Sequence, residues 1–461
     1  MKKILSALVI DDDYQVRGFL NEVLRADTWK VYEADNAEAA FRVLQEQSLT
    51  LVFCDVNLGG VDGYTVLRRF VSEQPEARFV MMTGYESAAG ALEATAIGAF
   101  DYLTKPFSVD DILKLSATVR AQFIGRSRLS APEKPAGYQS DINLIGRSPA
   151  FVESMKLVGR VAATNLPVLI SGASGTGKEV VARAIHGRSH RSTGEFVAVN
   201  CGAIPVELIE SELFGHARGA FTGADRERLG LWEEADGGTI FLDEITETTP
   251  QFQVKLLRVL QQGEIRRVGA NRTLKVDVRV IAATNRHIEI EAEAGRFRQD
   301  LMYRLNAVTI NLPPLRERRE DIPLLAAFFA ERALPPGAPK IIFSSAALKI
   351  LENAAWQGNV RELENAVLHA VSLADRVVYP EHLPPRIQQS VDQSPASSAP
   401  SEPDLSSPET PEDFLPLAEM QARYVARILA HTEGNKQAAA RLLQIDRKTL
   451  SRIIGRANKD K

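Results

Sequence analysis

The chain has 461 residues, of which 45% are hydrophobic and 25% are charged, and its formal net charge is −4. This length exceeds what one hydrophobic core can organise, so about three domains are expected. No stretch approaches the roughly 20 apolar residues of a membrane span, and the two cysteines fit neither a disulfide framework nor a metal-binding spacing. The composition therefore excludes integral membrane and disulfide-rich classes, and it predicts a protein of the reducing cytoplasm.

The first 120 residues alternate apolar runs with helical patterns. The apolar runs are Ala7–Ile10, Leu51–Cys54, Phe79–Met82 and Phe100–Leu103, and helical patterns cover Val16–Leu24 and Ala37–Leu44. This rhythm predicts a parallel sheet covered by helices. The stretch Ile4–Ile10, which contains the first run, follows two lysines as in a secretory signal, but it ends in three aspartates rather than a small-residue cleavage site. We therefore expect a strand there.

Carboxylates follow the first two of these runs. Asp11 and Asp12 come directly after the first, and Asp55 ends the second. Because the carboxyl ends of parallel strands meet at one edge of a sheet, we expect these side chains to lie together. Clustered carboxylates repel one another unless a cation binds, so the pattern predicts Mg²⁺ beside a phosphorylatable aspartate. Thr83 and Lys105 end the third and fourth runs.

This set of positions resembles the receiver domain of response regulators over residues 1–120. The resemblance implies that Asp55 takes a phosphoryl group from a sensor histidine kinase and that Lys105 pairs with the phosphate. It also implies that Asp11, Asp12 and Asp55 hold Mg²⁺, while Thr83 and Tyr102 relay the switch. Family members usually carry Pro four residues after the acceptor, where this chain has Gly59, so we expect a looser loop.

A phosphate-binding motif follows a predicted linker at 121–143. It extends from Gly172 to Glu179, between an apolar strand (Val168–Ile170) and a helix (Val180–His186). Backbone N–H groups of such a loop can wrap phosphate oxygens, and Lys178 can reach the β- and γ-phosphates of ATP. The predicted ATP-binding residues of the motif are Gly172, Ala173, Ser174, Gly175, Thr176, Gly177, Lys178 and Glu179.

A second acidic strand end lies at Thr239–Glu244. Its sequence Thr-Ile-Phe-Leu-Asp-Glu predicts that Asp243 holds Mg²⁺ and that Glu244 polarises the attacking water. The usual phosphate-binding loop has Ser or Thr after its lysine, but here Glu179 follows Lys178. This departure places more of the metal binding on Asp243.

A short run of small residues with one aromatic lies between these two motifs. An exposed Phe at a loop tip usually has a partner to contact. The run matches at all six positions the signature loop of sigma-54-dependent transcriptional activators of the AAA+ class, which it resembles. The predicted sigma-54 contacts are Gly219, Ala220, Phe221, Thr222, Gly223 and Ala224.

The same resemblance covers residues 144–386, with an α-helical lid from Ile322, and implies further roles. Asn200 restrains Glu244, and Thr284 with Asn285 forms the sensor of the γ-phosphate. Arg361 is the second sensor arginine. Arg298 and Arg304 act as arginine fingers in the site of a neighbouring subunit, which implies a ring. The resemblance implies a hexamer, and a heptamer is the alternative.

The C-terminal part changes abruptly in charge. Residues 387–414 are predicted to be a disordered linker, since they are rich in Ser, Pro and acids. Residues 415–461 carry ten Lys/Arg against four Asp/Glu, a net charge of +6. Two predicted helices, Lys436–Leu443 and Arg447–Ile454, are joined by a short turn and resemble a Fis-type helix-turn-helix. The predicted DNA contacts are Arg447, Lys448, Thr449, Ser451 and Arg452.

The predicted architecture is thus a flavodoxin-like α/β receiver, a AAA+ α/β domain with an α-helical lid, and an all-α DNA-binding domain. The resemblance implies an enhancer-binding activator, controlled by phosphorylation, that uses ATP hydrolysis to remodel closed complexes of sigma-54 RNA polymerase. Two alternatives are a phospho-switched repressor that only binds nucleotide and an ATP-driven remodeller of another complex. The intact catalytic positions weigh against the first, and the Gly219–Ala224 run weighs against the second. Repression and promotion of ring assembly by the receiver both stay open.

Overall fold

The computed structural model describes residues 5–85, 87–124, 144–221, 224, 226–335, 337, 339–389, 425, 435–442, 445, 446, 449 and 450. The chain divides into two compact units, residues 1–394 and 395–461. The predicted linker residues 125–143 and 390–414 lie outside the described residues. The first four residues of the linker predicted at 121–143 are helical instead.

The N-terminal part is a parallel sheet with helices between its strands. The strands are β1 (Ser6–Ile10), β2 (Lys30–Ala34), β3 (Leu51–Asp55), β4 (Arg78–Thr83) and β5 (Asp101–Thr104). The helices are α1 (Tyr14–Ala26), α2 (Ala37–Glu46), α3 (Gly63–Glu73), α4 (Ala88–Ile97) and α5 (Val109–Ile124). The strand order is β2-β1-β3-β4-β5, and every pairing is parallel. This arrangement confirms the predicted receiver fold.

The pattern of burial explains which strands the sequence reveals. All residues of β1 and β3 are buried, so both strands read as continuous apolar runs. The edge strand β2 has only one buried residue, and no apolar run marks it in the sequence. Side chains of Asp13, Asn36 and Ser87 accept hydrogen bonds at the starts of α1, α2 and α4, which fixes where those helices begin.

A second parallel sheet forms the centre of the next part. Its strands are β6 (Val168–Ser171), β7 (Phe196–Asn200), β8 (Thr239–Asp243), β11 (Arg279–Thr284) and β12 (Val308–Asn311), and a separate antiparallel hairpin comprises β9 (Glu264–Arg266) and β10 (Thr273–Lys275). The helices are α6 (Pro149–Ala162), α7 (Lys178–Gly187), α8 (Val206–Phe214), α9 (Leu231–Glu234), α10 (Pro250–Gln262), α11 (Ile288–Glu293) and α12 (Gln299–Leu305). The strand order β12-β6-β11-β8-β7 places β6 and β8 on either side of β11.

A smaller helical part follows this sheet and has its own core. Its helices are α13 (Ile322–Ala333), α14 (Ser345–Asn353), α15 (Asn359–Leu373) and α16 (Pro385–Gln389), and a short parallel pair joins β13 (Ile342–Phe343) to β14 (Val377–Val378). Leu351, Trp356 and Leu363 are among the buried side chains that hold these helices together. This part is the α-helical lid expected from the sequence.

Helices α4 and α6 join the first sheet to the second. They approach so closely at Gly159 that an added Cβ would lie 2.0 Å from Thr95 Oγ1 and 2.7 Å from the carbonyl oxygen of Leu92. Beside this crossing, Lys156 Nζ lies 2.9 Å from Asp101 Oδ1. The apolar side chains of both parts form one continuous buried cluster.

In the C-terminal unit the described residues include one helix, α17 (Lys436–Leu442). Ala439, Ala440, Val425 and Leu450 are buried together there. The N–H of Leu450 donates to the carbonyl oxygen of Asp446 at 3.0 Å, which is the helical hydrogen-bond spacing at the start of the second predicted helix. Among the helices that the structure describes, none has the length and apolar content needed to cross a membrane.

Candidate functional site

Three carboxylates and one lysine meet at the carboxyl edge of the first sheet. Asp11, Asp12 and Asp55 each bring a carboxylate oxygen within 4.8 Å of the others. Lys105 Nζ donates to Asp11 Oδ2 at 2.6 Å and to Asp55 Oδ2 at 2.9 Å. Asp12 is exposed, while Asp11 and Asp55 are buried. Oxygen ligands of this kind suit Mg²⁺, so the cluster fits the predicted metal.

Burial and pairing set the charges in this cluster. Burial raises the pKa of Asp11, although its hydrogen bond from Lys105 acts in the opposite direction. Burial opposes the charge of Lys105, but hydrogen bonds to Asp11 and Asp55 outweigh it and raise the pKa of this lysine. A cation at this edge would therefore enter a site where one ammonium group is shared by two of the three carboxylates.

The two predicted relay residues lie on neighbouring strands. Thr83 Oγ1 both donates to the carbonyl oxygen of Tyr85 and accepts from its N–H, each at 3.1 Å. Tyr102 is 4% exposed, and its hydroxyl packs against Gly90 of α4. The loop after Asp55 contains Gly59 with a φ of 67°, a conformation that the proline usual in the family cannot adopt.

One residue near the acidic cluster was missed by the sequence analysis. Arg17 in α1 donates through Nη1 to the carbonyl oxygens of Asp11 and Asp12, at 2.6 and 3.1 Å. These bonds fix the backbone that presents the two carboxylates. The sequence around Arg17 does not predict this contact with the Asp11 and Asp12 backbone, because the contact depends on where α1 packs.

The phosphate-binding motif lies between β6 and α7. Lys178 Nζ donates to the carbonyl oxygens of Gly172 and Ala173, at 3.0 and 3.3 Å. Burial lowers the pKa of Lys178, and the nearby charges of Asp243 and Glu244 partly offset that effect. The N–H of Gly172 donates to the carbonyl oxygen of Thr284, which joins the motif to the end of β11.

The acidic end of β8 faces the end of β7. The N–H of Cys201 donates to the carbonyl oxygen of Asp243, and the N–H of Glu244 donates to Asp243 Oδ1. Glu244 has a φ of 53°, which is uncommon for a residue with a Cβ. An added Cβ at Gly202 would lie 2.5 Å from Glu244 Oε2, so the carboxylate rests directly over that glycine.

Asn200 bonds to the backbone of the turn that follows β7, beside Glu244. Its Oδ1 accepts hydrogen bonds from the N–H groups of Gly202 and Ala203, at 2.9 and 3.0 Å. Among the described contacts, no hydrogen bond joins Asn200 to Glu244. The carboxamide oxygen closes the turn after β7, because two backbone donors point at it there. Asn200 thus holds the segment that contains Gly202.

The predicted sensor residues occupy the end of β11. Thr284 is fully buried, and its Oγ1 lies 3.2 Å from Thr246 Oγ1 and donates to the carbonyl oxygen of Arg286. Asn285 is exposed directly after it, where β11 adjoins the phosphate-binding motif. This placement leaves Asn285 accessible to a ligand at the sheet edge.

The three predicted arginines fall into two groups. Arg361 lies beside the phosphate-binding motif, with its Nη1 3.4 Å from Ser174 Oγ. Arg298 instead forms a two-bond ion pair with Asp300, at 3.0 and 2.7 Å. Arg304 donates to the carbonyl oxygen of Leu260. Arg298 and Arg304 are exposed and make no described contact with the motif of their own chain.

The aromatic loop is closed at its base, and its Phe221 side chain is partly exposed. The N–H of Gly219 donates to the carbonyl oxygen of Ala224 at 2.8 Å, and the N–H of Ala224 donates to that of Phe221 at 3.0 Å. The ring of Phe221 meets His216 edge-on with centroids 5.1 Å apart, yet this side chain is 41% exposed. The predicted contacts Thr222 and Gly223 lie outside the described residues.

One of the five predicted DNA contacts is described. Thr449 is half-buried within a helical segment. The other four predicted contacts, Arg447, Lys448, Ser451 and Arg452, lie outside the described residues. The five DNA contacts therefore stay predictions.

Sequence profiles of four families match successive parts of the chain. The response regulator receiver domain matches residues 7–117, and the sigma-54 interaction domain matches residues 144–311. The AAA+ ATPase lid domain matches residues 316–400, and the bacterial regulatory proteins of the Fis family match residues 416–454. The four profiles follow the predicted order of domains, but the lid profile extends beyond residue 386 into the segment predicted as a linker.

Relatives of known function align along nearly the whole chain. The transcriptional regulatory protein ZraR of Klebsiella oxytoca is 43% identical over 450 residues, which cover 97% of this chain and 98% of that protein. The DNA-binding transcriptional regulator NtrC of Rhizobium meliloti is 38% identical, with coverages of 97% and 96%. NtrX from Brucella abortus, solved in complex with ADP, aligns at 31% identity over 98% of each chain with a TM-score of 0.51. The chain therefore belongs to the sigma-54-dependent response regulators of the NtrC type.

Proposed function

We propose that this regulator hydrolyses ATP and uses the energy to press the Phe221 loop against sigma-54, so that a closed promoter complex is remodelled. The observation that carries the proposal is the loop itself. Its base is closed by hydrogen bonds while the Phe221 ring stays 41% exposed. An aromatic side chain that stays partly exposed on a hydrogen-bonded loop adds little to the core of its own chain. Such a side chain is typical of a contact with a protein partner.

The ATP site would lie where β6, β8 and β11 end together. In this proposal Lys178 holds the phosphates and Asp243 holds Mg²⁺, which would neutralise charge on the phosphate oxygens. Glu244 orients the attacking water and accepts its proton. The support is that the phosphate-binding motif, the acidic end of β8 and the exposed Asn285 share one sheet edge.

Arg298 and Arg304 would complete the site of a neighbouring subunit. Their exposure and their contacts away from the motif of their own chain support a role in trans. An arginine stabilises the charge of the transferring phosphoryl group. ATP hydrolysis would then require a ring, and we propose a hexamer.

Phosphorylation of Asp55 by a sensor histidine kinase would control this activity. The pairing of Lys105 with both Asp11 and Asp55 supports the switch, because a phosphoryl group on Asp55 would compete for the same ammonium group. The Fis-type domain would hold the ring at enhancer DNA. Thr83 and Tyr102 would transmit the change towards α4, against which the Tyr102 hydroxyl packs.

The test is the variant Phe221→Ala. We expect transcription from a sigma-54 promoter in a purified system to be lost, because the apolar tip is gone. ATP hydrolysis should stay within about twofold, since the loop lies outside the phosphate-binding contacts. The matched control is Tyr379→Ala in the lid, another exposed aromatic (47%), which should leave both activities intact. Loss of transcription and hydrolysis together in Phe221→Ala would count against a dedicated contact loop.

A further inference from the structure

Asn359, at the start of α15, is buried in a strained conformation. It is 3% exposed and has a φ of 52°. A residue with a Cβ seldom adopts this backbone conformation, although Asn does so more readily than most. A buried carboxamide also costs free energy unless its donors and its acceptor are hydrogen-bonded. Both costs indicate that the surrounding structure requires this side chain at this place.

The carboxamide of Asn359 connects three segments. Its Nδ2 donates to the carbonyl oxygen of Ser174 in the phosphate-binding motif at 2.9 Å. Its Oδ1 accepts from the N–H of Leu315, at the junction between the second sheet and the lid, at 2.8 Å. The same Nδ2 lies 3.4 Å from the carbonyl oxygen of Gln357, in the turn that precedes α15. The side chain therefore bridges the sheet domain and the lid.

The backbone of the next two residues adds to this contact. The N–H groups of Val360 and Arg361 both donate to the carbonyl oxygen of Gly175, at 2.9 and 3.3 Å. The first turn of α15 is thus fixed to the phosphate-binding motif by three hydrogen bonds, one of them from the Asn359 side chain. The guanidinium group of Arg361 extends from this turn to Ser174 Oγ.

We infer that Asn359 is a positioning residue for ATP hydrolysis, which sets the place of Arg361 relative to the phosphate-binding motif. The inference rests on the proposed ATP hydrolysis. Arg361 supplies the charge at the nucleotide, and Asn359 acts through it without touching the nucleotide. A small displacement of a charged group from its working geometry lowers turnover strongly. ADP, which lacks the γ-phosphate, should be much less sensitive to that displacement.

The test is Asn359→Asp in the full chain. An aspartate oxygen still accepts from the N–H of Leu315, but the carboxylate cannot donate to the carbonyl oxygen of Ser174. We expect kcat for ATP hydrolysis to fall about tenfold, while ADP affinity stays within about twofold. The matched control is Asn353→Asp in the same lid, an exposed side chain whose one hydrogen bond among the described residues goes to the carbonyl oxygen of Lys349. This control should hydrolyse ATP at the rate of the unmodified chain.

A double-variant cycle separates positioning from general stability. Arg361→Ala alone should lower kcat, and adding Asn359→Asp to it should lower kcat no further, because the Asn359 effect passes through Arg361. If the kcat of the double variant fell by the product of the two single-variant factors, the inference would be overturned. So would an Asn359→Asp variant with unchanged kcat in a chain that hydrolyses ATP normally.

A second substitution tests the inference in case Asn359→Asp does not fold. Asn359→Gly keeps the left-handed backbone without strain and removes the carboxamide, so it should show the same selective loss of kcat. If both variants are unfolded at the assay temperature, Asn359 is a structural residue only and the inference is wrong. If the unmodified chain does not hydrolyse ATP at all, the proposed function itself fails.

Discussion

Glu244 owes its position to its own backbone and to the glycine beneath it. Its backbone has a φ of 53°, and its Oε2 lies 2.5 Å from the position that a Cβ on Gly202 would take. A conformation of this kind costs on the order of 1 kcal/mol or more and persists where the surroundings enforce it. The proposed water-orienting carboxylate is therefore placed by local geometry, over a turn that the Asn200 side chain closes.

This geometry predicts a selective effect of Gly202→Ala. The new methyl group would lie 2.5 Å from Glu244 Oε2, so the flexible end of the glutamate must move. We expect ATP turnover to fall about tenfold, because general-base catalysis depends on the position of the base. Nucleotide affinity should change little, since Lys178 is not displaced. Both quantities can be measured by steady-state kinetics and by nucleotide titration.

The control for this prediction is Gly18→Ala, where nothing lies within 4 Å of the added Cβ. It should leave ATP turnover unchanged. If Gly202→Ala instead lowered the melting temperature strongly while turnover per folded molecule stayed normal, the carboxylate would not depend on this contact. The prediction would then be wrong.

Single residues of the two sites differ in whether a local sequence signal marks them. Asp55, Asp243 and Lys178 can be predicted because each stands next to an apolar strand or within a glycine-rich motif, which are local signals. The contact between Gly202 and Glu244 joins the ends of two neighbouring strands that are far apart in the sequence. Nothing in the local sequence of either strand specifies that distance, so only the structure reveals it.

At the scale of elements, the contact between α4 and α6 joins the receiver to the ATPase part. Helix α4 carries alanines along its length, which allows close packing, and Gly159 of α6 lies at the closest approach. The N–H of Ala88 donates to the carbonyl oxygen of Gly146, and Arg160 Nη2 donates to that of Phe100. In the proposed relay, Tyr102, whose hydroxyl packs against Gly90 of α4, would carry a change at the acidic edge of the receiver to this interface.

Gly159→Leu should separate the two helices. A leucine at this position has no space beside Thr95 and Leu92, and overpacking of a buried contact typically costs about 1–3 kcal/mol. We expect faster deuterium uptake in residues 88–97 of the unphosphorylated chain. The ratio of ATP turnover with and without phosphorylation should also move towards one, because the receiver then loses its contact with the ATPase part.

Arg160→Ala provides the graded comparison, since it removes one hydrogen bond and leaves the helix crossing in place. Its effect on deuterium uptake should be smaller than that of Gly159→Leu. Suppose that both variants took up deuterium as the unmodified chain does and that phosphorylation still controlled ATP turnover. The contact between α4 and α6 would then not transmit the signal. Either sign of control, repression or promotion, is compatible with the expected result.

Most elements follow from the sequence, and the exceptions have physical causes. The buried strands β1, β3 and β4 are predicted from their apolar runs. The edge strand β2 has one buried residue, so no apolar run predicts it. The burial of α4 against α6 could not be predicted. A helix rich in buried small residues packs equally well on a neighbouring domain or on a second chain, and its sequence does not distinguish the two.

The positions of the three arginines determine which chain each nucleotide site depends on. Arg361 lies beside the phosphate-binding motif of its own chain, while Arg298 and Arg304 are exposed and bonded elsewhere. The family resemblance assigns Arg298 and Arg304 to a neighbour's site, but no local sequence signal specifies it, because it depends on an interface between chains. A single chain would thus hold a nucleotide site and a pair of arginines that do not meet.

Two variants that are inactive alone should therefore recover ATP turnover when they are mixed. Lys178→Ala disables the nucleotide site but keeps both exposed arginines, whereas the double variant Arg298→Ala with Arg304→Ala keeps the site and lacks the arginines. Mixed in equal amounts, they should recover up to about a quarter of the unmodified turnover, the share of neighbouring pairs that combine an intact site with intact arginines. Turnover of the unmodified chain per molecule should also rise with protein concentration. Absence of recovery despite proven mixed assembly, or full turnover by a monomer, would show that each chain completes its own site.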